Sequence, residues 1–124
     1  MDTEDCQRVT DALDRIGSKW SVLVMMQLDT RPKRFNELRR AAAGISQKML
    51  ASTLRGLERD GFVTRTVLPT SPPGAVYALT DLGGELVVPI TALGAWVLDN
   101  VDRIESARHH FDTAQATETL SPPS

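Results

Sequence analysis

The fold is decided by the segment ISQKMLASTLRGLERDGFV, residues 45–63. Ser46 is a good N-cap, and Gly61 suits the left-handed position after a helix end, so the segment predicts a helix of about residues 46–60. At 100° per residue, its leucines share one side of the helix. The opposite side carries Lys48, Ser52, Arg55 and Arg59. Such a helix packs on its own domain through one side and presents positive charge to a polyanion through the other.

The basic residues are concentrated around this helix. The formal net charge of the whole chain is −2, yet residues 31–66 contain nine Lys or Arg and only three Asp or Glu. This segment carries +6 and the remainder −8. Attraction to phosphate depends on the potential within a Debye length of about 8–10 Å, so the local charge favours a nucleic-acid partner. Helix faces that are merely solvated are the alternative interpretation.

The composition predicts one globular domain with protruding ends. The chain has 124 residues, of which 41% are hydrophobic and 24% charged, as is typical of soluble proteins. The longest uninterrupted apolar stretch, residues 22–26, is too short to cross a bilayer, and the acidic start is unlike a secretory signal. We therefore expect a cytoplasmic protein without a membrane segment.

The cysteine and histidine content predicts no metal or other cofactor. Cys6 is the only cysteine, so neither a disulfide within the chain nor a thiol-rich zinc site can form. The two histidines, His109 and His110, are adjacent, and neighbouring helical positions point about 100° apart.

Apolar periodicity predicts three helices before the basic helix. The first spans Cys6 to Ile16, and its stripe of Val9, Ala12, Leu13 and Ile16 is expected to be buried. The second begins near Ser18, is apolar around most of its circumference, and stops at Arg31 because Pro32 follows. A short edge strand at residues 33–35 and a third helix at residues 36–42 come next.

The segment after the basic helix predicts a β-hairpin and a long final helix. Residues 62–68 and 75–79 are rich in β-branched and aromatic side chains, and a loop with three prolines separates them. From the caps Thr80 and Asp81, apolar residues recur every three or four positions, which predicts a helix of about residues 81–108 interrupted by Pro89. So small a domain cannot cover this stripe, so we expect dimerisation. Residues 111–124 have the composition of a flexible tail.

Five linked motifs resemble the HxlR family of bacterial transcriptional regulators. They are IGSKW at 16–20, RFNELRR at 34–40, GISQKML at 44–50, LERDGFV at 57–63 and YALTDLG at 77–83. The resemblance runs from Cys6 to about Val97 without a gap. It implies a mainly α fold with a small β-hairpin (α+β), that is, a winged helix-turn-helix over residues 1–110 with additional N- and C-terminal dimerisation helices and a wing at about residues 62–79.

The resemblance also implies a homodimer that binds double-stranded DNA and regulates transcription, as a repressor in our prediction. Its recognition helices would enter successive major grooves of a pseudo-palindromic operator. The predicted interface between subunits consists of Val9, Leu13, Leu86, Ile90, Leu93, Val97 and Val101. The predicted DNA contacts are Arg34, Arg39, Arg40, Ser46, Gln47, Lys48, Ser52, Arg55, Arg59, Arg65, Thr70 and Ser71.

The side-chain chemistry supports this assignment independently. Gln can bond adenine at two positions and Lys can reach guanine, whereas Arg serves phosphate. Ser46 can act as a plain cap, as a base contact, or as both. The wing departs from the family pattern, because Gly74, Ala75 and Val76 stand where relatives often carry a basic residue. We therefore predict a weak wing contribution, with Arg65, Thr70 and Ser71 supplying the remaining backbone contacts.

Two further features have alternative interpretations. Cys6 lies where some relatives place a redox-sensing thiol, but nearby Glu4 and Asp5 disfavour the thiolate and an inert thiol is the alternative. Trp20, Met25, Met26 and Trp96 could line a small-molecule site, although such residues more often belong to a core or an interface.

An enzyme is the least favoured class of function. The chain has no glycine-rich phosphate loop and no Ser-His-Asp signature. The serious alternative to DNA binding is a protein-interaction module that uses the same winged helix. Salt dependence separates the two, because neutralising phosphates makes DNA affinity fall steeply with ionic strength.

Overall fold

The computed structural model describes residues 1–120, which fall into two units, Met1–Pro89 and Ile90–Ser124. The elements are α1 (Thr3–Ile16), α2 (Lys19–Thr30), β1 (Lys33–Arg34), α3 (Phe35–Ala41), α4 (Gln47–Arg59), β2 (Val63–Leu68), β3 (Gly74–Leu79) and α5 (Asp81–Leu120). Their order confirms the mainly α fold with a small β-hairpin, that is, a winged helix-turn-helix. Helix α5 begins in the first unit and continues through the second.

The core of the first unit lies between α2, α3, α4 and the sheet. Helix α2 contributes Val24, Met25 and Leu28, all buried, and Leu38 of α3 is buried as well. Helix α4 contributes Leu50, Leu54 and Leu57, none more than 2% exposed. The prediction that α2 is central and that the leucines of α4 face inward is therefore confirmed, and Met25 belongs to the core.

The caps of α4 are those the sequence predicts. The Ser46 hydroxyl oxygen accepts a hydrogen bond from the Met49 N–H at 3.0 Å, which satisfies one of the free donors of the first turn. Gly61 has φ +84°, a left-handed conformation that glycine adopts without steric penalty. The Phe62 N–H then returns to the Leu57 carbonyl.

The sheet has three antiparallel strands in the order β1-β3-β2. β1 joins the predicted hairpin as a third strand, and it ends at Arg34 because Phe35 already begins α3. Tyr77 in the central strand is the register partner of Lys33 on one side and Arg65 on the other. Register partners point to the same face of a sheet, so these three side chains form one row.

Lys33 is the buried member of this row. It is 8% exposed, and its ammonium group donates to the Gln27 carbonyl and, at 2.7 Å, to the Thr30 hydroxyl. These partners lie in the last turn of α2, where a cation also offsets the negative end of the helix dipole. Lys33 therefore fastens β1 to the end of α2.

Helix α1 differs from the prediction in two ways. It begins at Thr3 rather than Cys6, because the Asp2 carboxylate accepts the Asp5 N–H at 2.8 Å and caps the helix. Its apolar stripe was expected to be buried, yet no residue of α1 is buried, and Val9 and Leu13 are 42% and 54% exposed. Burial of this stripe within the chain was a wrong prediction, since no other element of the chain covers it.

Helix α5 is longer than predicted. It runs for 40 residues to Leu120, so the predicted end at residue 108 is wrong, and residues 111–120 are helical rather than a tail. Residues 121–124 of the predicted tail lie outside the described residues. From Ala92 to Asp99 every side chain of α5 is exposed. Within the described chain it is also the one helix long and apolar enough to cross a membrane, with mean hydropathy 1.4, a property shared by apolar helices that pair with one another.

The first turn of α5 is joined to the start of β2 by Thr80. Its N–H donates to the Phe62 carbonyl at 3.0 Å, and its hydroxyl donates to the Gly61 carbonyl and accepts from the Gly83 N–H. The predicted cap at Thr80 is therefore confirmed. Gly83 packs so closely here that an added Cβ would lie 2.2 Å from the Phe62 carbonyl oxygen. This junction fixes the base of the wing against the end of α4.

Candidate nucleic-acid interface

The outward side of α4 is positively charged. Lys48, Ser52, Arg55 and Arg59 are all exposed, and among the described residues none of them has a side-chain hydrogen bond or ion-pair partner. Their spacing of four, three and four residues keeps them on one face of the helix. Gln47 is exposed at the first helical position, where the positive end of the helix dipole also lies. This face can therefore offer donors and positive charge to a polyanion.

Helix α3 adds three exposed arginines, Arg34, Arg39 and Arg40. Arg34 precedes the helix, and its N–H donates to the Glu37 carboxylate at 3.1 Å. Arg39 and Arg40 line an open cleft of about 370 Å³ together with Asn36. The three residues are free to contact a DNA backbone, as the sequence predicts of them.

Glu37 orders the start of α3. Its carboxylate accepts a 2.6 Å hydrogen bond from Arg31 in addition to the Arg34 N–H. The bond from Arg31, followed by that from the Arg34 backbone, lowers the pKa of Glu37 to about 2, and the same bond raises the pKa of Arg31. Arg31 is thus engaged within the fold.

We expect Glu37→Gln to lower the stability of the protein at neutral pH but not in strong acid. The folded-state pKa lies below the ordinary value of 4.5, so the ionised carboxylate stabilises the fold fully above pH 4.5. That contribution declines as the pH falls toward 2. Thermal unfolding of both proteins from pH 7 to pH 2 measures it. A difference in Tm that stays constant over this range would contradict the expectation.

The wing has few groups for DNA. Thr70 and Ser71 are exposed at its tip, and the Thr70 hydroxyl donates to the Pro72 carbonyl at 3.0 Å. Arg65 is exposed lower down, in β2. The tip itself carries no cationic side chain.

Two clefts flank the outward side of α4. One of about 430 Å³ lies toward α1 and α2, where Arg15 forms a 3.5 Å ion pair with Asp60. The other, of about 380 Å³, lies toward the sheet and includes Arg55, Arg65 and Tyr77. Sequence reasoning missed Arg15 and Tyr77. Tyr77 belongs to a motif quoted above, but nothing in the sequence shows that it is buried beside two arginines.

The remaining predicted residues lie apart from this surface. Cys6 is an exposed free thiol on α1. The predicted interface residues of α5 are half-buried at Leu86 and Ile90, and exposed at Leu93, Val97 and Val101. Trp20 is half-buried in the first unit, whereas Trp96 is exposed in the second.

Comparison with known proteins identifies the family. The model of the HxlR-like helix-turn-helix family matches residues 15–105. The HTH-type transcriptional regulator YtfH of Escherichia coli is 38% identical over 98 residues, covering 79% of this chain and 78% of that protein. YodB, an HTH-type transcriptional regulator of Bacillus subtilis, is 37% identical over 91 residues, with coverages of 73% and 81%.

Solved structures agree in fold. The redox regulator HypR in its reduced form superimposes with a TM-score of 0.75 and 39% identity, over 80% of this chain and 98% of that one. The match covers the hairpin, α3 and α4. Because the family model covers most of the chain and two curated relatives exceed 30% identity, the protein belongs to the HxlR-like helix-turn-helix family and is a DNA-binding transcriptional regulator.

Proposed function

We propose that two copies of this chain bind a pseudo-palindromic operator and repress transcription from it. The observation that carries the proposal is the exposed face of α4, whose cations have no partner among the described residues. In a helix-turn-helix, the second helix enters the major groove and reads base edges with its first residues. Gln47 and Lys48 occupy those positions in α4.

The other predicted residues divide by chemistry. Ser46 caps α4, and its hydroxyl can still donate to a base or phosphate. Contacts to phosphate position the protein and carry no sequence information themselves. We assign this role to Arg34, Arg39, Arg40, Ser52, Arg55, Arg59 and Arg65, with a small contribution from Thr70 and Ser71.

The homodimer in this proposal is supported by apolar surface that the chain itself leaves uncovered. Val9 and Leu13 form an exposed stripe on α1, and Leu93 is 64% exposed on α5. Exposed apolar stripes of this length are unusual in monomers and mark association surfaces. A second copy of the chain offers the same stripes, as a two-fold interface requires.

Footprinting on the DNA upstream of the protein's own gene tests the proposal. We expect two protected half-sites whose centres lie about one helical turn, or a multiple of it, apart. Sedimentation of the free protein should give a dimer. A monomer, or affinity that does not change with salt concentration, would favour a protein-interaction module. In the proposed role the protein is cytoplasmic and catalyses no reaction.

Cys6 supports a second element of the proposal, a response to oxidants. Its thiol is exposed on α1, one turn before Val9 on the stripe assigned to the dimer. Because the chain has no other cysteine, a disulfide would join two chains. Two thiols would lose two hydrogen atoms to an oxidant such as diamide, which is reduced to the hydrazine. The new bond would constrain the α1 helices of the two subunits.

We expect diamide to lower the operator affinity of the wild-type protein but not that of Cys6→Ser. A coupling of ordinary strength changes affinity roughly 5- to 150-fold. Binding titrations before and after treatment measure the change, and a reducing agent should restore affinity. If both proteins respond alike, the thiol is inert and the oxidant acts elsewhere.

A further inference from the structure

The cleft between α4 and the sheet has the composition of an anion site. Its lining residues are Ala51, Leu54, Arg55, Glu58, Arg65 and Tyr77. Two guanidinium groups from different elements face one carboxylate, so the cleft carries net positive charge. The two arginines have no hydrogen-bond or ion-pair partner among the described residues.

Tyr77 provides an independent observation that the cleft is built to take a ligand. The residue is 9% exposed, and no partner for its hydroxyl lies within hydrogen-bond distance in the described chain. In the same part of the chain, no fully buried side-chain polar atom lacks a partner. The Tyr77 hydroxyl is therefore reached by solvent through the cleft. A phenylalanine would fill the core equally well, so the hydroxyl is free to donate to a ligand.

The strand register aligns these donors. Arg65 lies directly opposite Tyr77 in the β2–β3 pair, so both side chains extend from the same face of the sheet, the one that lines the cleft. Arg55 reaches the cleft from α4. A hydroxyl and two guanidinium groups on one cavity suit an oxyanion with several acceptor atoms, because charge-assisted bonds to such groups are the strongest available.

The cleft opens beside the face assigned to the major groove. Arg55 follows Lys48 by seven residues, so the two side chains point within about 20° of each other, two turns apart along α4. The DNA backbone borders the groove that a recognition helix enters. We infer that this cleft binds a phosphate group of the operator backbone, held by Arg55, Arg65 and the Tyr77 hydroxyl. This inference rests on the proposed function.

The site also accounts for the poor wing tip. A tip without a cation cannot contribute strongly in the minor groove, but a phosphate held at the base of the hairpin ties the sheet to the same DNA. The contact requires only the register of β2 and β3 and the position of α4, both set by the core.

The test combines conservative variants with operator DNA in which single phosphates are replaced by uncharged methylphosphonates. We expect Tyr77→Phe to bind about tenfold more weakly, since a hydrogen bond to a charged group is lost. Its salt dependence should stay that of the wild type, because no charge is removed. Arg65→Gln should lower the slope of log affinity against log salt by about 0.9. Arg108→Gln, an exposed arginine elsewhere, should change neither quantity.

The methylphosphonate scan locates the contact. At one position in each half-site the modification should weaken the wild type but cost Tyr77→Phe and Arg65→Gln nothing further. If Tyr77→Phe melts and binds like the wild type and suffers the same loss at every position, the inference is wrong. It is also wrong if Tyr77→Phe abolishes binding of inorganic phosphate to the free protein while operator affinity is unchanged, since the cleft would then serve a free anion.

The outcome can be separated from a failure of the proposed function. If Lys48→Ala weakens operator binding and Tyr77→Phe does not, only the phosphate site fails. If the wild type does not distinguish operator from unrelated DNA, the proposed function itself fails.

Discussion

Replacing Lys48 and Arg55 together by alanine should weaken operator binding by about two orders of magnitude. A good base contact is worth about 1–3 kcal/mol, each phosphate contact adds a salt-dependent share, and a homodimer loses every contact twice. Both side chains are exposed and without partners among the described residues, so the fold should be unaffected. Fluorescence anisotropy with labelled operator at several salt concentrations measures the loss.

The single variants should differ in kind. Lys48→Ala should lower the ratio of specific to non-specific affinity, whereas Arg55→Ala should weaken both and flatten the salt dependence. The matched control is Arg8→Ala with Arg108→Ala, which removes the same charge from exposed positions away from α4. If this control loses as much affinity as the α4 variant, the attraction is a property of the net charge, and α4 is not the recognition helix.

Gly83→Ala should destabilise the protein by about 2–3 kcal/mol, with a fall in Tm of roughly 10 °C. The new Cβ would lie 2.2 Å from the Phe62 carbonyl oxygen and 3.1 Å from the Leu79 side chain. The first of these neighbours is backbone held by Thr80, so it cannot move without breaking the junction between α5 and β2. Thermal unfolding at fixed protein concentration measures the effect.

The adjacent glycine is the control. A Cβ on Gly84 meets nothing within 4 Å, and alanine is favoured over glycine in a helix by about 1 kcal/mol. Gly84→Ala should therefore leave Tm unchanged or raise it. If the two variants behave alike, close packing at Gly83 is not what holds the base of the wing.

Local chemistry explains why α4 could be predicted so closely. Ser46, Gly61 and the leucine spacing each act within a few residues, so both ends of the helix and its buried side follow from the sequence. The end of α5 could not be found in this way. After Ile104 no glycine or proline occurs until Pro122, so no local signal terminates the helix at the predicted residue 108.

Errors about burial have a different origin. A stripe such as Val9 and Leu13 has the same spacing whether it packs within the chain or waits for a second chain, so periodicity alone cannot distinguish the two. Tyr77 shows the same limit for the site. Its surroundings come from a strand partner 12 residues away and from a separate helix, and these meet only through the tertiary fold.

Lys33 has a consequence for mapping by mutagenesis. It counts among the nine cations of the positive segment, yet its ammonium group is committed to the end of α2. An alanine substitution there would loosen β1 and, through it, the row that includes Tyr77 and Arg65. A scan scored only by retardation on a gel would register a lost contact with the duplex at a residue that never touches it, unless a melting curve is recorded for the same variant.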